Sequence, residues 1–287
     1  MKHLFIMQKT KKHRDFEKSI EDVMKNNEYY IVYTQTIDEI KQCIEKLEEP
    51  TRIYSVGGDG TLNNVIQYLV HTNHELVVIP LGTGNDFCRV LTNEKDPLKI
   101  LKNSLIHQTK TIDVIQLNDY YYINSACFGL DSIIANHVHD TPHIPFIPES
   151  KSYIVSIFQH VLQYSFEHVR MVSEGKCIYD EKMILCTVNN GCYYGGGFPI
   201  TPQALLDDGY IDVCVVDHLP KWKIPYMIFF LLKKQLHKRK EVHYFKLKQL
   251  DVYCSTHCCN MDGEETFFDS CHFQVIPAAI KIVELNP

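Results

Sequence analysis

The sequence predicts two domains of different class. Residues 1–118 read as a doubly wound α/β domain built on a parallel sheet, and residues 119–278 as a mainly antiparallel β-sandwich, while the tail 279–287 fits either. Three observations carry this reading. Short apolar runs alternate with helical apolar stripes in the first part; two glycine-rich turns each stand between such a run and a helix; after Asn118 the texture changes to β-rich segments with polar turns. A chain of 287 residues is long enough for two separate cores.

In the first part, "HLFIM" is a short strand, and a helix follows with Phe16, Ile20, Val23 and Met24 on one face. "YYIVY" is the second strand. Thr36 and Glu39 form a capping box ahead of a stripe of Ile37, Ile40, Ile44 and Leu47. "RIYSV" runs into "GGDGTLN", and the next helix aligns Leu62, Val65, Ile66, Leu69 and Val70. "ELVVIP" runs into "LGTGNDFCRVL", whose stripe is Phe87, Val90 and Leu91. Strands spaced by helices in this way imply a parallel sheet covered on both faces. In the second part, "YYYINSACFGL", "KMILCTVNN", "YIDVCVVDHL", "YFKLKQLDVYC" and "HFQVIP" read as strands, with helices expected near 151–168 and 220–239.

Composition narrows the function. A formal net charge of −6 gives no global argument for nucleic-acid binding, so none is expected. No long apolar stretch opens the chain, and its eleven cysteines therefore read as reduced thiols in a cytoplasmic protein. The cluster "CSTHCCN" fits no standard pair of zinc knuckles. The apolar run "IPYMIFFLL" at 224–232 is far short of the roughly 20 residues that span a bilayer.

The two glycine turns carry the chemistry. Strand, glycine turn and helix form the arrangement in which backbone N–H groups bind phosphate. Gly57, Gly58 and Gly60 let a phosphate approach, yet Asp59 would repel a bare polyphosphate. An acid there becomes sensible when the ligand arrives with Mg²⁺, which prefers carboxylate oxygen. A surface turn without ligand is the bland alternative. The second turn, "PLGTGNDF", supplies Gly82, Thr83, Gly84, Asn85 and a second acid, Asp86, at the same sheet edge.

"GGDGTLN" followed by "PLGTGNDF", then "SACFGLDS", "NNGCYYGGGFPITPQALLDDGYIDV" and "MDGEE", resembles the catalytic domain of diacylglycerol kinases and related bacterial lipid kinases, in that order and over nearly the whole chain. The resemblance implies a Mg²⁺- and ATP-dependent kinase acting on a lipid hydroxyl. It implies that Gly57, Gly58, Asp59, Gly60, Thr61, Leu62 and Asn63 form a nucleotide loop, joined by Thr83 and by Thr34 after the second strand. Glu264 matches the family's general base and Asp59 its Mg²⁺-organising acid; a solvated hairpin tip is the other reading of "DGEE". Leu205 and Tyr210 carbonyls with the Asp208 carboxylate resemble a structural Mg²⁺ site, against a turn with no metal.

Three positions depart from the family pattern. "MQKTKKH" stands where an "NPxSG"-like phosphate loop is usual, Asn64 replaces an acid, and Glu265 replaces a proline. Residues 220–248 hold nine Lys/Arg and one acid, interleaved with Trp222, Tyr226, Phe229 and Phe230. That mixture suits an anionic membrane surface, as it also suits a packed helix with a basic end. Peripheral membrane association and a lipid partner are thus expected, and exposed sandwich strands leave a homodimer open. The rival readings are an NAD kinase-like soluble kinase and a nucleotide-binding regulator without catalysis.

Overall fold

The computed structural model describes residues 1–129, 166–254 and 258–285. Its first part is a parallel sheet of β1 (Lys2–Met7), β2 (Tyr29–Tyr33), β3 (Thr51–Gly57) and β4 (Glu75–Pro80), in the order β4-β3-β1-β2. The inner strands are buried on both faces because helices cover both sides, whereas edge strand β2 is only half-buried. The helices are α1 (Lys11–Met24), α2 (Ile37–Glu45), α3 (Asp59–Ile66), α4 (Asp86–Leu91) and α5 (Pro97–Ser104). Thr10 caps α1, and Phe16, Ile20 and Met24 are the face it buries. The capping box of Thr36 and Glu39 opens α2, which buries Ile40 and Ile44.

From Thr109 onward the strands pair antiparallel, apart from the end of the last one. They are β5 (Thr109–Leu117), β6 (Tyr120–Tyr122), β7 (Ser125–Gly129), β8 (Glu167–Ser173), β9 (Lys176–Asn189), β10 (Tyr193–Tyr194), β11 (Phe198–Pro199) and β12 (Ile211–Asp217). After α6 (Ile224–Leu232) come β13 (Val242–Leu247), β14 (Gln249–Cys254), β15 (Cys258–Met261), β16 (Glu264–Phe267) and β17 (Cys271–Val283). The architecture is an N-terminal α/β domain followed by a mostly antiparallel β-sandwich.

One strand joins the two. The first half of β17 pairs antiparallel with β14, and its last residues pair parallel with β4 through Lys281–Glu75 and Ile282–Leu76. A register shift between Ile276 and Ile280 makes the change of partner, with Ala278 at φ 49°. The bulge frees the Ala278 N–H, which donates to buried Asp113 Oδ1 at 2.8 Å, while Gly209 N donates to Oδ2 at 2.7 Å. Asp113 thereby ties the crossover to the turn before β12. Separate cores lie on either side: one from Leu4 to Leu285 around the parallel sheet, and one inside the sandwich around Tyr122, Met171 and Phe273.

Two expectations need correction or restriction. The helix expected over 220–239 is three pieces: a 3-10 turn Lys221–Lys223, α6, and a 3-10 turn Leu236–Lys238, broken by Lys234 at φ 56°. The break lets Leu236 turn inward to the cluster of Ile224, Met227 and Val242. The helix expected near 151–168 lies outside the described residues, save that 167 and 168 begin β8. No helix among the described residues is long and apolar enough to cross a membrane.

Candidate active site

Parallel strands end on one edge, so the loops after β2, β3 and β4 meet there. Thr34 follows β2, is buried, and donates its N–H to Met7 O at 2.9 Å. Gly57 ends β3, Gly58 caps α3, and Asp59 to Asn63 form its first turns, with Leu62 and Asn63 buried. Thr83 lies exposed in the loop after β4.

The two glycine loops are locked together through backbone. Leu81 N and Gly82 N both donate to Gly57 O, at 2.9 and 3.1 Å. A Cβ on Gly82 would stand 2.4 Å from Gly58 Cα, and one on Gly57 would stand 2.4 Å from Thr61 Oγ1. These glycines are therefore demanded by close approach rather than by turn conformation. Asn85 takes the left-handed conformation, φ 53° and ψ 42°, and closes its loop by bonding both Gly82 N and Gly82 O.

Asp59 ties the second loop to the first. Its Oδ2 accepts Asp86 N at 3.2 Å and its Oδ1 accepts Phe87 N at 3.3 Å, so it caps α4 from another segment. Burial raises its pKa, the Asp86 charge raises it further, and the backbone N–H donors oppose both. Asp86 continues the chain of contacts: Oδ1 accepts Arg89 Nη1 at 2.5 Å and Oδ2 accepts Gly196 N at 2.8 Å. Gly195, Gly196 and Gly197 all have positive φ, a backbone that other residues rarely adopt, and that conformation brings the sandwich up to α4. Between α4 and this run opens a cleft of about 420 Å³, lined by Asn85, Arg89, Lys95, Tyr193, Gly196 and Lys234.

The hairpin of β15 and β16 reaches the same place. Asp262 and Gly263, at φ 49° and 97°, form its two-residue turn between paired Met261 and Glu264. The hairpin-tip reading is thus right for the backbone, yet the Asp262 side chain points inward. Its carboxylate accepts Ile123 N at 3.0 Å, Asn124 N at 3.2 Å, Ser125 N at 2.9 Å and Asn63 Nδ2 at 3.4 Å. Burial pushes its pKa up to about 6 against the pull of those donors. The turn that leads into β16, whose first residue is Glu264, is thereby tied to Asn63 of α3.

Two of these participants, Asp262 and Lys12, had no role in the sequence reading, and a third, Asp86, had only part of its own. Asp262 sits inside "MDGEE", but a D-G dipeptide signals only the turn. Asp86 was read as a second acid at the sheet edge, and nothing local shows that it binds the Gly196 amide. Lys12, in the departed "MQKTKKH" segment, donates to Leu81 O at 2.6 Å; next to it His13 Nε2 meets Val56 O at 3.0 Å. Burial lowers the His13 pKa, which suits a neutral ring accepting from Thr10 Oγ1 and donating to Val56.

Leu205, Asp208 and Tyr210 lie elsewhere, in the turn before β12. Leu205 is exposed. Asp208 Oδ1 accepts Tyr210 N at 3.1 Å, and Oδ2 lies 2.5 Å from Lys246 Nζ. The same ammonium is 3.8 Å from Asp212, whose buried Oδ1 has no hydrogen bond. Two carboxylates this close suit a hard cation, and Lys246 is the cation that now sits between them. No cluster of three His, Cys, Asp or Glu side chains able to hold a metal occurs among the described residues.

A family model described as the diacylglycerol kinase catalytic domain matches residues 4–117, and one described as the YegS C-terminal NAD kinase beta sandwich-like domain matches residues 124–284. The chain is 25% identical over 238 residues to a probable lipid kinase YegS-like protein of Shewanella frigidimarina, covering 81% of this chain and 76% of that one. It is 27% identical over 217 residues to a diacylglycerol kinase of Staphylococcus saprophyticus, covering 74% and 70%. Among solved structures, a diacylglycerol kinase of Bacillus anthracis superposes with a TM-score of 0.77 at 22% identity, covering 100% and 97% of the two chains. An NAD kinase of Archaeoglobus fulgidus in complex with ATP gives 0.56 at 13% identity, covering 98% and 93%. Between them the two family models span both domains, and the chain belongs to the family that joins a diacylglycerol kinase catalytic domain to a YegS-type C-terminal β-sandwich.

Proposed function

We propose that the protein is an ATP- and Mg²⁺-dependent lipid kinase that phosphorylates a hydroxyl of a lipid such as diacylglycerol. The observation that carries this reading is the Asp262–Asn63 contact, which sets the hairpin bearing Glu264 against the glycine loop. The loop amides and the N-terminus of α3 would cradle the phosphates, with Thr34 and Thr83 completing the nucleotide site. Glu264 would accept the proton of the lipid hydroxyl while that oxygen bonds to the γ-phosphorus and the bond to the β-phosphate oxygen breaks, releasing ADP. Mg²⁺ would neutralise charge on the phosphates. Each Asp59 oxygen can take more than the backbone bond it already accepts, so this carboxylate has capacity for the ion or its water. Leu205, Asp208 and Tyr210 would hold a second, structural Mg²⁺ once Lys246 gives way. The cleft between α4 and the glycine run would admit the lipid headgroup.

The test is transfer from γ-labelled ATP with Mg²⁺ to mixed micelles holding diacylglycerol, phosphatidylglycerol, ceramide or a sphingoid base in turn. NAD serves as the soluble control and Glu264→Ala as the blank. Labelled lipid that is lost in the variant is the expected result. Labelled NADP would favour the soluble-kinase reading, and ATP binding without product the regulator.

A further inference from the structure

The short helix α6 has more apolar surface than the sandwich covers. It buries Ile224 and Met227 in a cluster with Cys214, Val216 and Leu236, on the far side of β12 from the sandwich core. What remains outside is a line of large apolar side chains: Trp222 75% exposed, Tyr226 44%, Phe229 53% and Leu232 48%. Steps of three and four residues place all four on one flank of the helix and the 3-10 turn before it.

The charges of residues 220–248 are nearly all of one sign. Lys223, Lys233, Lys234, Lys238 and Lys240 lie within the segment, and its one acid, Glu241, is paired with Arg239 at 3.7 Å. Cations also lie over the exposed rings: Lys223 over Trp222 at 5.4 Å, Lys233 over Phe229 at 5.8 Å, and Arg239 over Tyr226 at 4.8 Å. Rings beside ammonium groups on an exposed flank match the boundary of a bilayer, where rings enter the headgroup level and cations meet lipid phosphates. A binding groove for a peptide would need a concave wall, and this flank is convex helix. The patch also touches the proposed site, because Lys234 lines the cleft that holds Arg89 and Gly196.

We propose that Trp222, Tyr226, Phe229 and Leu232, with the lysines around them, form a docking surface for an anionic membrane, set so that the cleft of Arg89 opens at the lipid headgroups. The advantage to the enzyme rests on the lipid-kinase reading, whereas the docking itself does not. The surface enters by wedge and charge together, so neither half suffices alone.

Trp222 is the chain's single tryptophan, so its emission reports on this surface alone. The experiment titrates the full chain with vesicles of phosphatidylcholine, alone or mixed with phosphatidylglycerol, and reads emission and co-sedimentation. A blue shift and pelleting with the anionic vesicles only is expected. Phe229→Ser with Leu232→Ser, both exposed positions, and separately Lys223→Gln with Lys233→Gln, should each weaken sedimentation by about tenfold or more. Activity on a short-chain, water-soluble diacylglycerol should stay unchanged in both double variants, which separates loss of docking from failure of the kinase reading. Unchanged Trp222 emission with anionic vesicles, or binding that survives both double variants, overturns the proposal. A blue shift that follows protein concentration without vesicles overturns it too, in favour of a second copy of the chain on this face.

Discussion

Gly82→Ala tests the idea that the nucleotide site is two loops locked backbone to backbone. The added Cβ would stand 2.4 Å from Gly58 Cα, 2.9 Å from Gly58 N and 2.9 Å from Asn85 Oδ1. Carbon atoms in ordinary contact are about 3.5–4.0 Å apart, so the loops must separate by about 1 Å or more. Two of the neighbours are backbone atoms at the N-cap of α3, which no side-chain rotation can relieve. Separation stretches the bonds from Leu81 N and Gly82 N to Gly57 O, each worth about 1 kcal/mol. Overpacking alone costs about 1–3 kcal/mol, and about 2–4 kcal/mol in all is expected from denaturant melts. The larger effect should be functional. A misplacement of about 1 Å can cost on the order of 10²-fold, so KM for ATP should rise or kcat fall by at least about tenfold. Gly175→Ala is the comparison: that glycine turns β8 into β9 at φ +74° with nothing within 4 Å. Its alanine brings backbone strain of about 1–2 kcal/mol and should leave ATP kinetics alone. If Gly82→Ala keeps native ATP kinetics and an unshifted midpoint, the locked-loop account is wrong.

Two further predictions follow from buried acids. Burial lifts the Asp262 carboxyl from its ordinary 3.8 to about 6, so the folded state holds its proton more tightly. The stability it confers is complete below about pH 4 and lost as the pH rises through about 6, a span of about 3 kcal/mol at about 1.4 per unit. Denaturant melts of wild type and Asp262→Asn between these limits should show wild type gaining on the variant as the pH falls; parallel curves would refute it. The Lys246 ammonium is shared by Asp208 and Asp212, so Lys246→Met should free both carboxylates for Mg²⁺. A Mg²⁺-induced rise in Tm should then be larger in Lys246→Met than in wild type and absent in Asp208→Asn, and no rise in any of the three would remove the metal from that turn.

The parallel sheet was legible because β1, β3 and β4 are buried on both faces and read as short, largely apolar runs, each followed by an amphipathic helix. Likewise the glycine turns fell between strand and helix, where packing requires them. What escaped the sequence is tertiary in origin. The residues "LLKKQLHK" have good helix propensity, and the segment breaks at Lys234 because Leu236 gains more by joining the cluster under α6. The passage of β17 from sandwich to parallel sheet depends on a bulge at Ala278 whose N–H finds Asp113 from another strand, a partner no local pattern could show. Asp59 stood out in the sequence as an acid among glycines, but its bonds to Asp86 N and Phe87 N join residues 27 and 28 positions apart. Asp262 is the extreme case: three of its donors come from residues 123–125, more than 130 positions away.

The departed first loop takes on a definite sense in this setting. A glycine turn after β1 would offer phosphate its backbone amides at close range. "MQKTKKH" instead forms a brace: Thr10 caps α1 and bonds His13, His13 reaches Val56 O in β3, and Lys12 reaches Leu81 O at the root of the second glycine loop. The brace holds the ends of β1, β3 and β4 in mutual register from the α1 side, as Asp59 holds α3 and α4 from the other. It also sets an ammonium at the edge of the glycine turns proposed to bind phosphate. A lysine acts there as a point charge, attractive at longer range but less demanding of geometry than fixed amides. Under the proposed function the precise placing of phosphate falls to the loops that stay rich in glycine, Gly57 to Gly60 and Gly82 to Gly84, and they are the pair whose contact leaves no room for a single methyl group at Gly82.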